Sequence, residues 1–366
     1  MLSGGTKVAM YSSIDRRNFL AQCARFAALA TGGAAAFESS KSTRAADGIS
    51  AREPSWDEAT RSGLSFLAQN QSSRGQWNTP PYPVAIAALA GTAMLCSGST
   101  ITQGPYAKYL SRTTDFLISR SRANGLIGDP EGDQRYTYGH GFSMLFLSQV
   151  LGEEGLQDRR DDLVEVLNKA VDFCGKAQTP AGGWGYVSAK DGNDYDEGST
   201  TITQVQGLRG CRNAGIAVPT EIIESAKRYI YKCQNEDGGI SYSSQQMNSS
   251  RPAITAASLA ALYNAGDYDS KKVPEMLAYT RRTLYAITAG DESFGHWHYT
   301  YLYYAQVVYR QGDEDWLPFR EKLYGRIVQE QNSDGSWEGQ INKVYTTACN
   351  LIMLQLDLGY LPIFQR

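Results

Sequence analysis

A short pattern recurs six times along this chain and restricts its possible architectures more than any other feature. A polar residue is followed four positions later by Gly and, after one more residue, by Trp or Ile. The copies are Gln71-x3-Gly75-x-Trp77, Ser121-x3-Gly125-x-Ile127, Gln178-x3-Gly182-x-Trp184, Gln234-x3-Gly238-x-Ile240, Asp291-x3-Gly295-x-Trp297 and Gln331-x3-Gly335-x-Trp337. A period of this size marks a stacked array of supersecondary units. Each copy follows an amphipathic stretch. In Thr220 to Cys233, for example, Ile222, Ile223, Ala226, Tyr229, Ile230 and Cys233 fall at helical spacing. Each is followed by a loop and then by a second helical stretch that is apolar on most faces, as in Val84 to Cys96 and Thr255 to Tyr263. A helix apolar all round is buried all round. The first helix of each unit is therefore expected outside and the second inside. One hairpin cannot bury its apolar side alone, so the units must stack. Six of them with strongly apolar inner helices favour closure. The predicted fold is all-α, an α6/α6 toroid spanning residues 47–366.

Within each copy, the Gly is expected to end the outer helix in a left-handed conformation. The Trp is expected in the seam between hairpins, and the Gln at backbone groups left unpaired at a helix end.

The full Gln-x3-Gly-x-Trp copies at Gln71, Gln178 and Gln331 resemble the repeat of squalene and oxidosqualene cyclases, and related repeats occur in protein prenyltransferase β subunits. The resemblance covers about residues 52–362. It implies a toroid with a central cavity that takes a polyisoprenoid or another apolar small molecule. It also implies a place for the acid with which squalene-hopene cyclases protonate an alkene, an Asp-x-Asp-Asp cluster. Asp194-Tyr195-Asp196-Glu197 comes close to that cluster, just before the helix expected near Ser199. Packed carboxyls raise one another's pKa and keep one protonated. The same residues also read as an ordinary acidic cap for the helix that follows.

Aromatic residues supply the candidate ligand wall. Tyr299 and Tyr303 share a helix face at i, i+4, and so do Tyr136 and His140. Together with His140 and Trp297 they are the candidate ligand-binding residues, since aromatic faces stabilise cations. They also read as barrel filling with their hydroxyls bonded to backbone. No metal site is expected. The weak candidates are His296 and His298, which would point to one side of an extended segment near Asp291 or Glu292. Neither zinc-dependent prenyl transfer nor any cofactor is expected.

The N-terminal 46 residues read as an export leader. Arg16-Arg17-Asn18-Phe19-Leu20 resembles the core of a twin-arginine signal, an Ala-rich stretch runs from Ala21 to Ala36, and small-residue cleavage sites end at Ala36 and Ala45. Export to the periplasm or cell envelope is therefore expected. Without this leader, which holds six Lys/Arg and two Asp/Glu, the net charge moves from -3 to -7. That balance disfavours nucleic acid as a partner. No apolar run is long enough for a transmembrane helix. Six scattered cysteines with no paired spacing do not form a disulfide framework. The functional expectation is a terpenoid-cyclase-like toroid binding an apolar ligand, with acid-initiated cyclisation open. The alternatives are a non-catalytic module that binds a protein partner and a polysaccharide-active α/α barrel. The loop 185–198 is a candidate lid.

Overall fold

The computed structural model describes residues 52–191, 194–268, 270–288 and 296–366. The leader, Asp291, Glu292 and Gly295 lie outside them. Residues 51–366 form one compact unit. Among the described residues, twelve α-helices alternate in it. The outer ones are α1 (Pro54–Asn70), α3 (Ala107–Ser119), α5 (Gln157–Ala177), α7 (Thr220–Lys232), α9 (Val273–Leu284) and α11 (Asp313–Gln329). The inner ones are α2 (Pro83–Leu95), α4 (Tyr136–Val150), α6 (Gly198–Asn213), α8 (Pro252–Asn264), α10 (Trp297–Arg310) and α12 (Lys343–Leu354). Inner helix α8 is buried at every residue from Ile254 to Asn264, whereas outer helix α7 buries only Ile222, Ala226, Tyr229 and Ile230. Burial thus follows the two kinds of apolar pattern read from the sequence.

Each inner helix packs on its two neighbours, and α12 returns to pack on α2. The outer ring closes as well, with α11 on α1. This is an all-α toroid, with one small addition: an antiparallel hairpin, β1 (Ser241–Ser243) and β2 (Gln246–Ser250), in the fourth connection. Among the described residues no helix is long and apolar enough to cross a membrane. Cys96, Cys174, Cys211, Cys233 and Cys349 are all buried, and among the described residues they form no disulfide.

The recurring pattern builds the seams, with a division of labour that differs from the expected one. Outer helix α1 passes directly into an extended residue, Gln71. Gly75 lies further on, at the end of a tight turn in which its N–H donates to the Ser72 carbonyl (3.0 Å). Its φ is +86°, and a Cβ there would sit 2.0 Å from the Arg112 carbonyl oxygen of α3. The Gly therefore lets the turn touch the next outer helix instead of ending its own. Gln71 Nε2 reaches across the same seam to the Tyr109 carbonyl (3.0 Å) and back to the Gly75 carbonyl (3.3 Å). The indole takes over the helix end. Trp77 Nε1 donates to the Leu67 carbonyl at 2.9 Å, Trp184 to Cys174 at 2.8 Å and Trp337 to Ile327 at 2.6 Å. Each acceptor is in the last turn of an outer helix, where carbonyls have no helical partner.

The sixth copy closes the ring. Gln331 Nε2 donates to the Ala59 carbonyl of α1 at 2.9 Å, and Gly335 (φ +85°) leaves no room for a Cβ against the Ser62 carbonyl, 2.5 Å away.

Candidate tyrosine-lined cavity

The N-terminal ends of all six inner helices converge on a cavity of about 160 Å³. Its inner wall is apolar, with Ala85, Ile86 and Leu89 from α2, Phe142 from α4 and Ile254 from α8. Six tyrosines ring it: Tyr82, Tyr138, Tyr186, Tyr242, Tyr299 and Tyr345. Tyr138, Tyr299 and Tyr345 are each the third residue of an inner helix, so their rings rise from the barrel end. Tyr186 and Tyr242 each lie two residues past the Trp or Ile of their repeat, on the two longest connections to an inner helix, and their hydroxyls bond to each other. Arg135 and His296 stand exposed at the lip. The Arg135 guanidinium lies 4.4 Å from the centre of the Tyr186 ring.

Of the four expected ligand residues, Tyr299 lines this cavity, and its hydroxyl donates to the Ser199 carbonyl at 3.0 Å. Tyr303 is fully buried below it, its ring edge-on to Tyr299 at 4.9 Å, and its hydroxyl has no hydrogen-bond partner among the described residues. Deeper still, Gln206 Nε2 of α6 donates to Gln306 Oε1 of α10 at 2.8 Å, a bond between two inner helices that are not neighbours in the ring. The centre of the barrel is therefore filled beneath the cavity. Trp297 is buried in the wall against Tyr301, with the Arg326 guanidinium 4.9 Å from its ring.

His140 lies away from the cavity. Its Nδ1 accepts from the Ile127 N–H (3.1 Å), and its Nε2 faces the Ala170 carbonyl (3.1 Å). An accepting Nδ1 places the proton on Nε2. Burial without a carboxylate pushes its pKa down to about 4, so the ring is neutral. In other repeats a threonine holds the matching N–H: Thr201 for Trp184, Thr255 for Ile240 and Thr347 for Trp337. His140 is thus the second repeat's version of a seam bond.

The three acidic residues do not meet at the cavity. Asp194 is exposed, and its backbone carbonyl accepts from Gln245 Nε2. Asp196 is fully buried and turned to the hairpin tip. It accepts from Ser243 Oγ (3.0 Å), the Ser244 N–H (2.7 Å) and Ser244 Oγ (2.6 Å). Glu197 is the N-cap of α6, accepting from the N–H groups of Thr200 (2.5 Å) and Ser199 (2.9 Å). The capping geometry weighed for this segment is therefore present at Glu197. Burial raises the Glu197 pKa, and its hydrogen bonds oppose the rise. Tyr138, whose hydroxyl is 3.4 Å from Glu197 Oε1 and also bonds Ser199 Oγ, stands between this carboxyl and the cavity.

His296 and His298 do not lie on an extended segment. His296 is the residue before α10, in a left-handed conformation (φ +59°), and His298 is in the helix's first turn. No group of three metal-ligating side chains occurs among the described residues. The sequence holds one Asp-x-Cys triplet, Asp172-Phe173-Cys174. Its two ends diverge on α5: Asp172 bonds Lys176 at the surface, and Cys174 is buried with Sγ 3.5 Å from Gln204 Oε1.

No sequence-family model matches the chain, and no curated protein matches it by sequence. Solved structures do match it. The type II terpene cyclase MstE from Scytonema aligns over 84% of this chain and 99% of its own, with a TM-score of 0.57 and 15% identity. The GH76A α-1,6-mannanase of Salegentibacter sp. HEL1_6 covers 83% of this chain and 99% of its own, with a TM-score of 0.59 and 10% identity. A glycoside hydrolase family 76 mannosidase, Bt3792 from Bacteroides thetaiotaomicron, aligns over 83% of this chain and 98% of its own, with a TM-score of 0.57 and 10% identity. These likenesses show the fold, an α/α toroid, and at such identities nothing finer.

Proposed function

We propose that this toroid binds a largely apolar, polyisoprenoid-like small molecule in the tyrosine-lined cavity, and that it does so outside the cytoplasm, where its leader directs it. The observation that carries this reading is the wall itself. Ile86, Leu89, Phe142 and Ile254 offer an apolar floor, and the tyrosine rim offers flat faces with polar tips. In MstE, a protein of the same fold, geranylgeranyl dihydroxybenzoate is the bound substrate.

Acid-initiated cyclisation has less support. Protonating an alkene needs a strong acid aimed into a dry pocket. Asp196 is engaged on both oxygens by the hairpin, and Glu197, with its raised pKa, is a weakened acid screened by Tyr138. A glycosidase role has less support again, because glycoside hydrolysis needs two carboxyls flanking the bond to be cut. The Salegentibacter mannanase binds α-1,6-mannotriose, and its inactive variant has two adjacent aspartates replaced. The one adjacent Asp pair here, Asp161–Asp162, lies on the exposed face of outer helix α5.

Calorimetric titration of the purified full chain with farnesol and with α-1,6-mannotriose tests the reading. Saturable heat with farnesol alone is expected, and it should disappear in Ala253→Phe, since Ala253, in the first turn of α8, lines the cavity and is half-buried. Binding of mannotriose without farnesol would overturn it.

A further inference from the structure

Resting on that reading, we propose that the ligand carries an anionic headgroup, a carboxylate or phosphate, which Arg135 receives at the lip while the apolar body lies against the floor. Three independent features of the mouth lead to this.

First, the cation is placed and unspent. Stacking over Tyr186 keeps the Arg135 guanidinium at the cavity edge, and among the described residues no carboxylate pairs with it. The acidic groups around it make hydrogen bonds other than to its guanidinium. Asp133 accepts the backbone N–H of Arg135 (2.7 Å), Asp191 bonds the Tyr136 hydroxyl, and Glu197 caps α6. Second, the inner helices all present their N-termini here, and α2, α4, α8 and α10 have no side chain capping them. Their dipoles add positive potential at the mouth, whereas the buried Glu197 carboxyl is used on α6. Third, the cavity is two-sided: its floor is hydrocarbon and its lip is polar. A molecule satisfying both parts is amphipathic, with its charge at the end nearest solvent. A guanidinium at such an edge gives up little hydration until the ligand arrives, and then offers a planar fork to two oxygens.

The experiment compares farnesyl phosphate, farnesol and inorganic phosphate on the full chain by calorimetry at pH 7.5. The wild type should prefer farnesyl phosphate to farnesol by about tenfold to a hundredfold, the range of a charge-assisted contact. Arg135→Gln should bring the ratio close to one with farnesol affinity unchanged, which also shows that the cavity is intact. Arg135→Lys should keep part of the preference, and the surface change Arg74→Gln should keep all of it. Equal binding of the two farnesyl probes by the wild type, or a preference that survives Arg135→Gln, overturns the headgroup assignment and leaves the cavity reading standing. Inorganic phosphate binding as tightly as farnesyl phosphate overturns the amphiphile, since the site then takes a free anion. Failure of both farnesyl probes to bind overturns the cavity reading together with this one.

Discussion

The seams between hairpins and the mouth of the barrel are built from the same repeats, and they use them in opposite ways. At a seam the described copies share a small set of duties. A Gly allows backbone contact in five of them, an indole takes a helix-end carbonyl in three, and an inner-helix hydroxyl or imidazole holds the N–H of the motif's Trp or Ile in four. At the mouth the connections differ in length and course. The connections to α6 and α8 are long and bring Tyr186 and Tyr242 over the cavity, whereas α10 begins at the Trp of its own repeat. Where copies agree, the residues hold the ring together. Where they differ, side chains are left to meet something else, and the cavity lies there.

The contrast predicts large stability effects at seams and small ones at the mouth. The largest is expected for Gly335→Ala at the closing seam. A left-handed alanine pressed on the Ser62 carbonyl should cost about 3–4 kcal/mol in urea unfolding. A loss under about 1 kcal/mol would show that the first and last hairpins are not held as described.

Next comes acid sensitivity at His140. Its native pKa of about 4 lies below the unfolded value near 6.5, so the native state binds fewer protons in this range. The stabilisation is whole above pH 6.5 and drains away as pH falls towards 4, by about 3 kcal/mol at that point. His140→Gln should be less stable at pH 7 and lack this contribution between those values. Unfolding free energies at half-unit pH steps, wild type against variant, make the check.

Trp184→Phe should cost about 2 kcal/mol, from the bond to the Cys174 carbonyl and the volume lost. At the mouth, Tyr186→Phe removes the hydroxyl pairing with Tyr242 and should shift stability by less than about 1 kcal/mol, because both rings are half-buried and water can replace the bond. If the mouth substitution proved as costly as the seam ones, the division drawn here would fail.

The same division governs how much was legible in the sequence. The ring of hairpins could be read from six spaced glycines and two kinds of apolar helix, because repetition averages out local accidents. The exact duties within the motif could not. That Trp77 rather than Gln71 serves the helix end depends on where an indole N–H points, which spacing does not encode. Tyr299 was legible as a cavity residue from its helical stripe, but Tyr303, one turn on, lies below the floor. Tyr138 and Tyr345 had a usable signal, an aromatic at the third position of an inner helix. Tyr186 and Tyr242 had one as well, two residues beyond the motif Trp or Ile. Asp196 drew attention as an acid because its partners, Ser243 and Ser244, are 47 and 48 residues away in a hairpin that no periodicity announced.

The bond from Gln331 to Ala59 has a consequence for the chain's own order. Since the last hairpin meets the first as any hairpin meets the next, and Arg52 donates to the Leu354 carbonyl at 2.7 Å, both ends of the toroid lie side by side. Where the polypeptide starts is then a matter of which connection is left open. A circular permutant, with the C-terminal segment joined to residue 52 by a linker and new termini opened between α6 and α7, should keep all six seams.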